Sequence, residues 1–386
     1  MEKKYTRDIN SGNAMCGNSS FGGYTSAANS KALEGTQYRK YHNPSGGHGF
    51  AAEDVNAQHD RWAGRKVDQV GRDNSLNGPD RIVNGQPIQT KYCQTPQKTV
   101  AAAFGSDGYR YPGQKLEVPA DQYDECVRIM RERIAAGEVP GVSDPAEATQ
   151  IVKKGSCTYQ QAVNVAKAGT LDSVIFDMKT QAVGCASAAG LSLVLGAAYA
   201  IAHGASPKDA LKGASVNAAK VGGQALVSGV TSSQVLRTAA GRDALAFVQR
   251  GTNNAIKAAC RTELGKACVE KLAGGFVGKQ VAGAAARNAL ARGLSSNAVT
   301  GTVALAVTSI PGAIAVVRGK KKAKEFGKDV ACNASGIVGG TSGWASGAAA
   351  GTVLCPGVGT VVGGIVGGII GGVTGSSLMR SLLKHF

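Results

Sequence analysis

Acidic side chains are scarce in the second half of this 386-residue chain. Residues 179–386 hold six Asp and Glu against 22 Lys and Arg, whereas residues 1–178 hold 20 acidic and 21 basic residues. A cationic half of this kind suits an anionic lipid surface. Aromatic residues make up 5% of the chain, and few lie among these scattered basic residues. Their scarcity disfavours nucleic-acid binding by base stacking in this half.

Several familiar signatures are absent. The nine cysteines are spread along the chain without a CxxC pair, which argues against a zinc ribbon or a disulfide framework and for a reducing compartment. The first eight residues contain no apolar core, so we expect no secretory signal. The sequence has no GxxxxGKS/T phosphate loop, no GxSxG elbow and no HExxH metal motif.

Charge is also missing between Asp329 and Arg380, where glycine recurs at every fourth residue. A spacing of four places these glycines on one slowly drifting stripe of a helix. Each glycine costs a soluble helix about 1 kcal/mol relative to alanine, so such density indicates close packing of membrane helices through small residues. The zipper glycines are Gly339, Gly343, Gly347, Gly351, Gly359, Gly363, Gly367, Gly371 and Gly375.

The Cys-Pro-Gly break at 355–357 divides this stretch into two arms. Each arm has about 19 residues, close to the length that spans a bilayer. We therefore predict a helical membrane hairpin over 336–376. A flexible glycine-rich tail and a buried soluble hairpin are the alternatives. Val, Ile and Leu fill the positions between the glycines, where a linker would carry Ser, Pro or charge, and they favour the membrane hairpin.

Composition predicts five segments. They are a disordered N-terminal segment (1–46), an α/β domain (47–140), a helical linker (141–178), a cationic Ala- and Gly-rich helical region (179–330), and the glycine-zipper hairpin with a basic C-terminus (331–386). Candidate membrane spans lie at 182–202 and at 298–317, the second interrupted by Pro311. Basic residues flank both ends of the hairpin, so the positive-inside rule places both ends in the cytoplasm. We expect a bacterial inner membrane location, with the N-terminal domain cytoplasmic.

Strand and turn signals mark the α/β domain. Asn84-Gly85 lies between the β-branched runs Asp80–Val83 and Ile88–Tyr92, which is a strong hairpin signal. Gln86-Pro87 predicts a loop wider than two residues. Helices are expected at 49–63 and 121–136, and short strands at 66–71 and 116–118.

Polar residues gather on the predicted hairpin. Asp80 opens one strand, Gln89 and Lys91 share a face of the other, and Glu53 lies on the preceding helix. Pro79-Asp80 followed by Gln89-Thr90-Lys91 resembles the PD-(D/E)xK nuclease superfamily, over about residues 48–136. In the alternative interpretation, Asp80 is a turn residue and Gln89 and Lys91 are the solvated face of a hairpin.

The resemblance implies a restriction-endonuclease-like α/β core with a catalytic set of Lys91, Gln89, Asp80 and Glu53. Asp80, Gln89 and Glu53 would hold Mg²⁺, which prefers hard oxygen ligands, and Gln89 stands where the family usually has an acid. Lys91 would position the water and stabilise the charge that develops on the phosphate.

The triplet Tyr109-Arg110-Tyr111 is a candidate substrate-binding element, since aromatic rings stack on bases and arginine pairs with phosphate. The simpler interpretation is an ordinary strand.

These observations predict an α+β domain followed by an all-α, membrane-associated domain. The best-supported function is a bacterial toxin or defence effector whose metal-dependent nuclease is tethered to, or delivered across, a membrane. The alternatives are a membrane-permeabilising protein whose N-terminal domain only senses or binds, and a structural membrane anchor or delivery component. Expected partners are anionic membrane lipid, nucleic acid, further copies of the chain joined through the zippers, and an immunity or trigger protein.

Overall fold

The computed structural model describes residue 41 and residues 46–70, 77–277, 281–354 and 358–383. The chain forms two compact units that divide between Phe176 and Asp177. The predicted disordered segment, 1–46, lies almost entirely outside the described residues. The first unit mixes strands and helices, and every described element after it is a helix. The predicted sequence of an α+β region followed by an all-helical region is confirmed.

A five-stranded mixed sheet lies at the centre of the first unit. Its order is β1-β2-β3-β6-β7; β1 to β3 are antiparallel, and β3, β6 and β7 are parallel. In chain order the elements are α1 (Gly47–Trp62), β1 (Val67–Gln69), β2 (Arg81–Val83), β3 (Gln86–Thr90), α2 (Pro96–Ala101), β4 (Phe104–Gly105), β5 (Gly108–Tyr109), β6 (Lys115–Val118), α3 (Tyr123–Ala135), a 3₁₀ turn (Pro145–Glu147), α4 (Ala148–Ile151), β7 (Val152–Lys154) and α5 (Tyr159–Ala166).

The hairpin of β2 and β3 turns more tightly than the sequence predicted. Val83 pairs with Gln86, so the loop has only two residues, Asn84 and Gly85, with φ of 49° and 85°. Two consecutive positive φ angles match the right-handed twist of the strands. The predicted wider loop is wrong because Pro87 falls at the next pair along the ladder, where β2 needs no N–H from it.

Helix α3 packs on one face of the sheet. Its buried side chains, Cys126 and Met130 among them, recur at helical spacing and meet Leu116 and Val118 of β6 in one hydrophobic core. The helix ends before Gly137, whose φ of 73° only glycine adopts easily.

Residues 141–178, predicted to be a helical linker, belong in large part to the first unit. Val152–Lys154 forms β7 and pairs in parallel with β6. Ala148 and Val152 are buried in the same core as α3. The linker prediction was wrong here because β7 has only three residues and lies between short helices, so no alternation of polar and apolar residues could mark it.

The second unit contains long helices, of which the first begins before the boundary. They are α6 (Leu171–Ala202), α7 (Pro207–Arg237), α8 (Ala239–Ala259), α9 (Glu263–Val277), α10 (Gly283–Val317), α11 (Ala323–Leu354) and α12 (Val358–Leu383). Among the described residues, α10 is the helix that is long and apolar enough to cross a membrane, by length and composition alone. It contains the predicted span 298–317 and continues through Pro311, so the predicted interruption is wrong. Of the span predicted at 182–202, the apolar stretch described is the shorter Ser192–Ala202.

Helices α11 and α12 pack against each other as an antiparallel hairpin. A Cβ atom added to Gly343 would lie 2.1 Å from the Gly367 carbonyl oxygen, and one added to Gly347 would lie 2.0 Å from that of Gly363. No side chain fits at such separations, so glycine permits this approach of two backbones. The predicted helical hairpin is confirmed in its fold.

The remaining zipper glycines follow the same pattern as far as the structure describes them. Gly339 faces Gly371, Gly375 faces the Ser335 carbonyl, and the Gly351 Cα lies 3.1 Å from the Cβ position of Gly363. Gly359 lies in the first turn of α12. We expected the glycine stripe to join copies of the chain. In the structure, the glycines of α11 pack instead against those of α12 in the same chain.

Candidate functional site

Asp80 and Gln89 lie side by side where β2 begins and β3 ends, and we call them the polar pair. The Gln89 amide nitrogen donates to Asp80 Oδ2 over 2.8 Å, and the Thr90 backbone N–H donates to the same oxygen over 2.7 Å. The tight turn sets this register, since it pairs Arg81 with Ile88 and brings residue 80 level with the end of β3. The structure therefore brings together two of the predicted site residues.

The amide oxygen of Gln89 has no hydrogen-bond partner among the described residues, although Gln89 is only 5% exposed. A buried acceptor left unpaired costs about 1–3 kcal/mol. Burial also raises the pKa of the neighbouring Asp80 carboxyl, against the opposing effects of the Thr90 N–H and the Lys91 charge. An unpaired acceptor beside a carboxyl with a raised pKa is an arrangement found at functional sites more than in structural cores.

The polar pair offers a hard cation two oxygen donors. Both hydrogen bonds described for the carboxylate end on Oδ2, and rotation of the Gln89 amide would turn its oxygen towards Asp80. Mg²⁺ often takes only one or two protein ligands and completes its shell with water and phosphate oxygens. In the described part of the chain, no group of three or more His, Cys, Asp or Glu could hold a metal ion.

Glu53 lies on α1, which packs on the other face of the sheet. Asp60 of α1 binds Arg81, and Asn56 of α1 donates to the Tyr92 hydroxyl. Neighbouring residues of a strand point to opposite faces, so these contacts place α1 on the side away from the polar pair. The Mg²⁺-binding role of Glu53 together with Asp80 and Gln89 stays a prediction.

Lys91 directly follows β3 and lies close to the polar pair. Its positive charge acts on Asp80 and opposes the effect of burial on the pKa of that carboxyl. Its Nζ lies 5.3 Å from the centre of the Tyr111 ring, within the range of a cation–π contact. The predicted association of Lys91 with Asp80 and Gln89 is present in the structure.

The aromatic triplet is largely part of the core. Tyr109 and Tyr111 are 7% and 5% exposed and pack in the same cluster as α3, with their rings 6.0 Å apart. Neither ring has a free face for a base, so the predicted stacking role is wrong. Arg110 alone is exposed, as expected where a strand alternates between core and solvent.

The sequence did not predict a buried charged cluster on the face of the sheet that α1 covers. Arg81 of β2 is 1% exposed and binds both Asp60 of α1 and Glu117 of β6. Lys153 of β7 also pairs with Glu117, and Arg65 pairs with Asp60. A charged residue next to apolar ones in each short strand is the only local signal, and it gives no information about which charges meet.

Comparison with known proteins gives two separate matches, one in the N-terminal α+β region and one in the helical region. The family of YeeR C-terminal domains matches residues 29–135, and the C13G5.2-like glycine zipper domain family matches residues 321–378. A curated relative, the inner membrane protein YeeR of Escherichia coli (strain K12), is 48% identical over 99 residues, which are 24% of this chain and 19% of the relative. The chain thus spans about a fifth of the length of that relative.

No solved structure matches the chain. The predicted glycine zipper is confirmed by the family match. The polar pair lies within the first matched region and all nine zipper glycines lie within the second, so the chain is similar to a YeeR C-terminal domain followed by a glycine zipper domain.

Proposed function

We propose that this chain is a membrane-attached effector, of the toxin or defence type, whose first unit hydrolyses nucleic-acid phosphodiesters with the help of Mg²⁺. The observation that carries the proposal is the polar pair. The Asp80 carboxylate, just before β2, accepts a hydrogen bond from the amide nitrogen of Gln89 on β3, while the amide oxygen of Gln89 is unpaired among the described residues and Lys91 lies close by.

Each residue has a distinct part in the proposed reaction. Asp80 and Gln89 would hold the cation through oxygen atoms, and bound Mg²⁺ would supply Lewis-acid stabilisation of the phosphate. Lys91 places a positive charge where negative charge develops on the phosphate oxygens and orients the attacking water. The face of the Tyr111 ring holds the Lys91 ammonium in place through a cation–π contact.

Membrane attachment through the second unit is supported by its surface. Only 17% of the most apolar 18-residue stretch of α10 is buried. The zipper hairpin points large apolar side chains outward, with Val338 68% and Ile370 60% exposed. Lipid tails are a suitable environment for such faces. The similarity to the inner membrane protein YeeR adds to this argument, although it covers a small part of that relative.

The test of catalysis is cleavage of plasmid DNA and of total RNA, with Mg²⁺ or with a chelator, by the full chain in detergent. Lys91→Ala should abolish Mg²⁺-dependent cleavage and leave membrane binding intact. Lys98→Ala is the matched control, because Lys98 is exposed on α2 and also lies within electrostatic reach of Cys93, as Lys91 does. Equal cleavage by both variants, or none by the folded wild-type protein, would refute the nuclease.

A second candidate function is permeabilisation of a membrane without catalysis, and the outward apolar faces of the hairpin favour it. In that case Gly343→Leu combined with Gly367→Leu should abolish dye leakage from vesicles, and Lys91→Ala should have no effect on leakage. An immunity or trigger protein stays a prediction under either function.

A further inference from the structure

Basic side chains gather at one end of the apolar helices of the second unit. The end of α10, the connection to α11 and the first turns of α11 lie together with the end of α12, since Lys328 Nζ donates to the Leu383 carbonyl oxygen over 2.8 Å. We call this group the basic collar, and its members are Arg318, Lys320, Lys321, Lys322, Lys324, Lys328 and Arg380.

The basic collar keeps a strong positive charge. Glu325 and Asp329 are the acidic residues within 318–329, and Asp329 pairs with Lys321. Lys320, Lys322 and Lys324 are exposed and form no ion pair within the described part of the chain. A cationic surface of this density attracts anionic headgroups over about a Debye length, ~8 Å at physiological salt.

Beyond the basic collar the hairpin carries no charge at all. Residues 330–379 contain none, and its far end, at Leu354 and Val358, is uncharged as well. The arm 330–354 is about 37 Å long at 1.5 Å per residue, enough to cross a hydrocarbon core of about 30 Å. Val366 and Leu378 point outward along α12 with 49% and 62% of their surface exposed. The hairpin is thus cationic at one end and uncharged from there to the other.

We infer that the basic collar docks on the headgroups of an anionic phospholipid bilayer while the hairpin crosses the same bilayer with its uncharged end leading. The inference rests on the proposed membrane attachment and assigns the contact with anionic lipid to the basic collar, at the opposite end of the hairpin from the turn that enters the bilayer. Nucleic acid is the other polyanion that the basic collar could attract. The apolar helices that extend from the basic collar favour lipid, since nucleic acid would leave their outward faces in water.

The first experiment compares binding of the full chain to vesicles of phosphatidylglycerol with phosphatidylcholine and to vesicles of phosphatidylcholine alone. The collar variant is Lys320→Gln, Lys322→Gln, Lys324→Gln. Its matched control is Lys208→Gln, Lys212→Gln, Lys220→Gln, which removes the same charge from exposed positions on α7.

The collar variant should lose binding to the anionic vesicles by on the order of 100-fold, because each basic residue near such a surface contributes about a factor of five. The control should bind within a few-fold of wild type. Equal losses in the two variants, or no loss in either, would overturn the inference. Retained vesicle binding with loss of duplex DNA binding would assign the basic collar to nucleic acid instead.

The second experiment measures how deeply the hairpin enters the bilayer. The chain has two tryptophans, and Trp62 is 61% exposed on α1, so Trp62→Phe leaves Trp344 as the only one without disturbing the core. Residue 344 lies midway along the 330–354 arm. Its fluorescence should be quenched most by lipids brominated near the ends of their acyl chains. Quenching only by bromine near the headgroups would mean that the hairpin lies on the surface, and the inference would fail.

Failure of the inference is distinguishable from failure of the proposed function. A wild-type chain that binds neither kind of vesicle contradicts membrane attachment as a whole. A wild-type chain that binds, with a collar variant that binds equally well, contradicts only the docking role. The collar variant should also retain full Mg²⁺-dependent cleavage, since none of its three lysines belongs to the first unit.

Discussion

Arg81 of β2 reaches past β3 to form an ion pair with Glu117 of β6, with 2.5 Å between Nη2 and Oε1. The two residues are 1% and 0% exposed. Arg81 also donates to the Thr90 hydroxyl of β3, the strand that lies between them. One guanidinium therefore ties together the three strands that hold the polar pair. Its neighbour in sequence is Asp80, so the packing of one sheet face fixes the geometry of the other.

Arg81→Met should destabilise the first unit severely. The variant leaves Glu117 and Asp60 buried without the guanidinium that both contact, and loss of one member of a buried ion pair costs about 3–5 kcal/mol. Arg128→Met is the control, because Arg128 pairs with Glu125 and Glu132 on an exposed face of α3, where such pairs contribute about 0–1 kcal/mol. The midpoints of urea unfolding, followed by circular dichroism, measure both, and equal midpoints would contradict the structural role given to Arg81.

Asp60→Asn should destabilise the first unit at neutral pH and have little effect in acid. Burial alone would raise the pKa of the Asp60 carboxyl, but Lys153, Arg65 and Arg81 outweigh burial and lower it. A lowered pKa contributes stability above the unfolded value of 3.8, and that contribution is lost as the pH falls through the folded value. The difference in urea midpoint between wild type and variant should therefore be largest near pH 7 and shrink as the pH falls below 3.8. A difference that does not depend on pH would show that charge is not the cause.

Asp80→Asn should stabilise the first unit at neutral pH, which is the opposite of the effect expected for Asp60→Asn. Burial raises the pKa of Asp80 above 3.8 in the folded protein, so the ionised carboxyl makes folding less favourable at pH 7. Asparagine keeps an oxygen that accepts from the Thr90 N–H and carries no charge to desolvate. We expect a higher urea midpoint for the variant at pH 7 and convergence with wild type as the pH falls to 3.8.

The same variant should lose Mg²⁺-dependent cleavage. A substitution that stabilises the fold and abolishes activity is the expected behaviour of a site residue whose charge is kept for function. Asp80→Asn that is both less stable and fully active would identify Asp80 as an ordinary turn residue.

Local signals predicted the elements around the site well. The Asn84-Gly85 turn has its own dihedral requirement, and the β-branched residues beside it favour strands, so the hairpin of β2 and β3 could be placed from sequence. The shared face of Gln89 and Lys91 follows from the two-residue period of a strand. The glycine stripe likewise needs only the helical repeat.

Contacts between distant residues could not be predicted in this way. Glu117 meets Arg81 from 36 residues away and Lys153 from 36 residues in the other direction. The alternation of a strand predicts which residues share a face of the sheet. It does not predict that α1 covers that face. For the same reason the sequence could not show which face of the sheet α1 covers, and so could not test the role predicted for Glu53 on that helix.

Gly343→Ala should open the zipper hairpin, whereas Gly327→Ala on the same helix should not. The added methyl group at residue 343 would lie 2.1 Å from the Gly367 carbonyl oxygen, and only separation of α11 from α12 relieves that clash. At residue 327 nothing lies within 4 Å of the added methyl group, so alanine should stabilise the helix by up to about 1 kcal/mol. Hydrogen exchange of the hairpin amides in detergent micelles measures both effects. We expect faster exchange along both arms for Gly343→Ala and unchanged or slower exchange for Gly327→Ala. Identical exchange in the two variants would mean that close backbone approach does not hold the hairpin together.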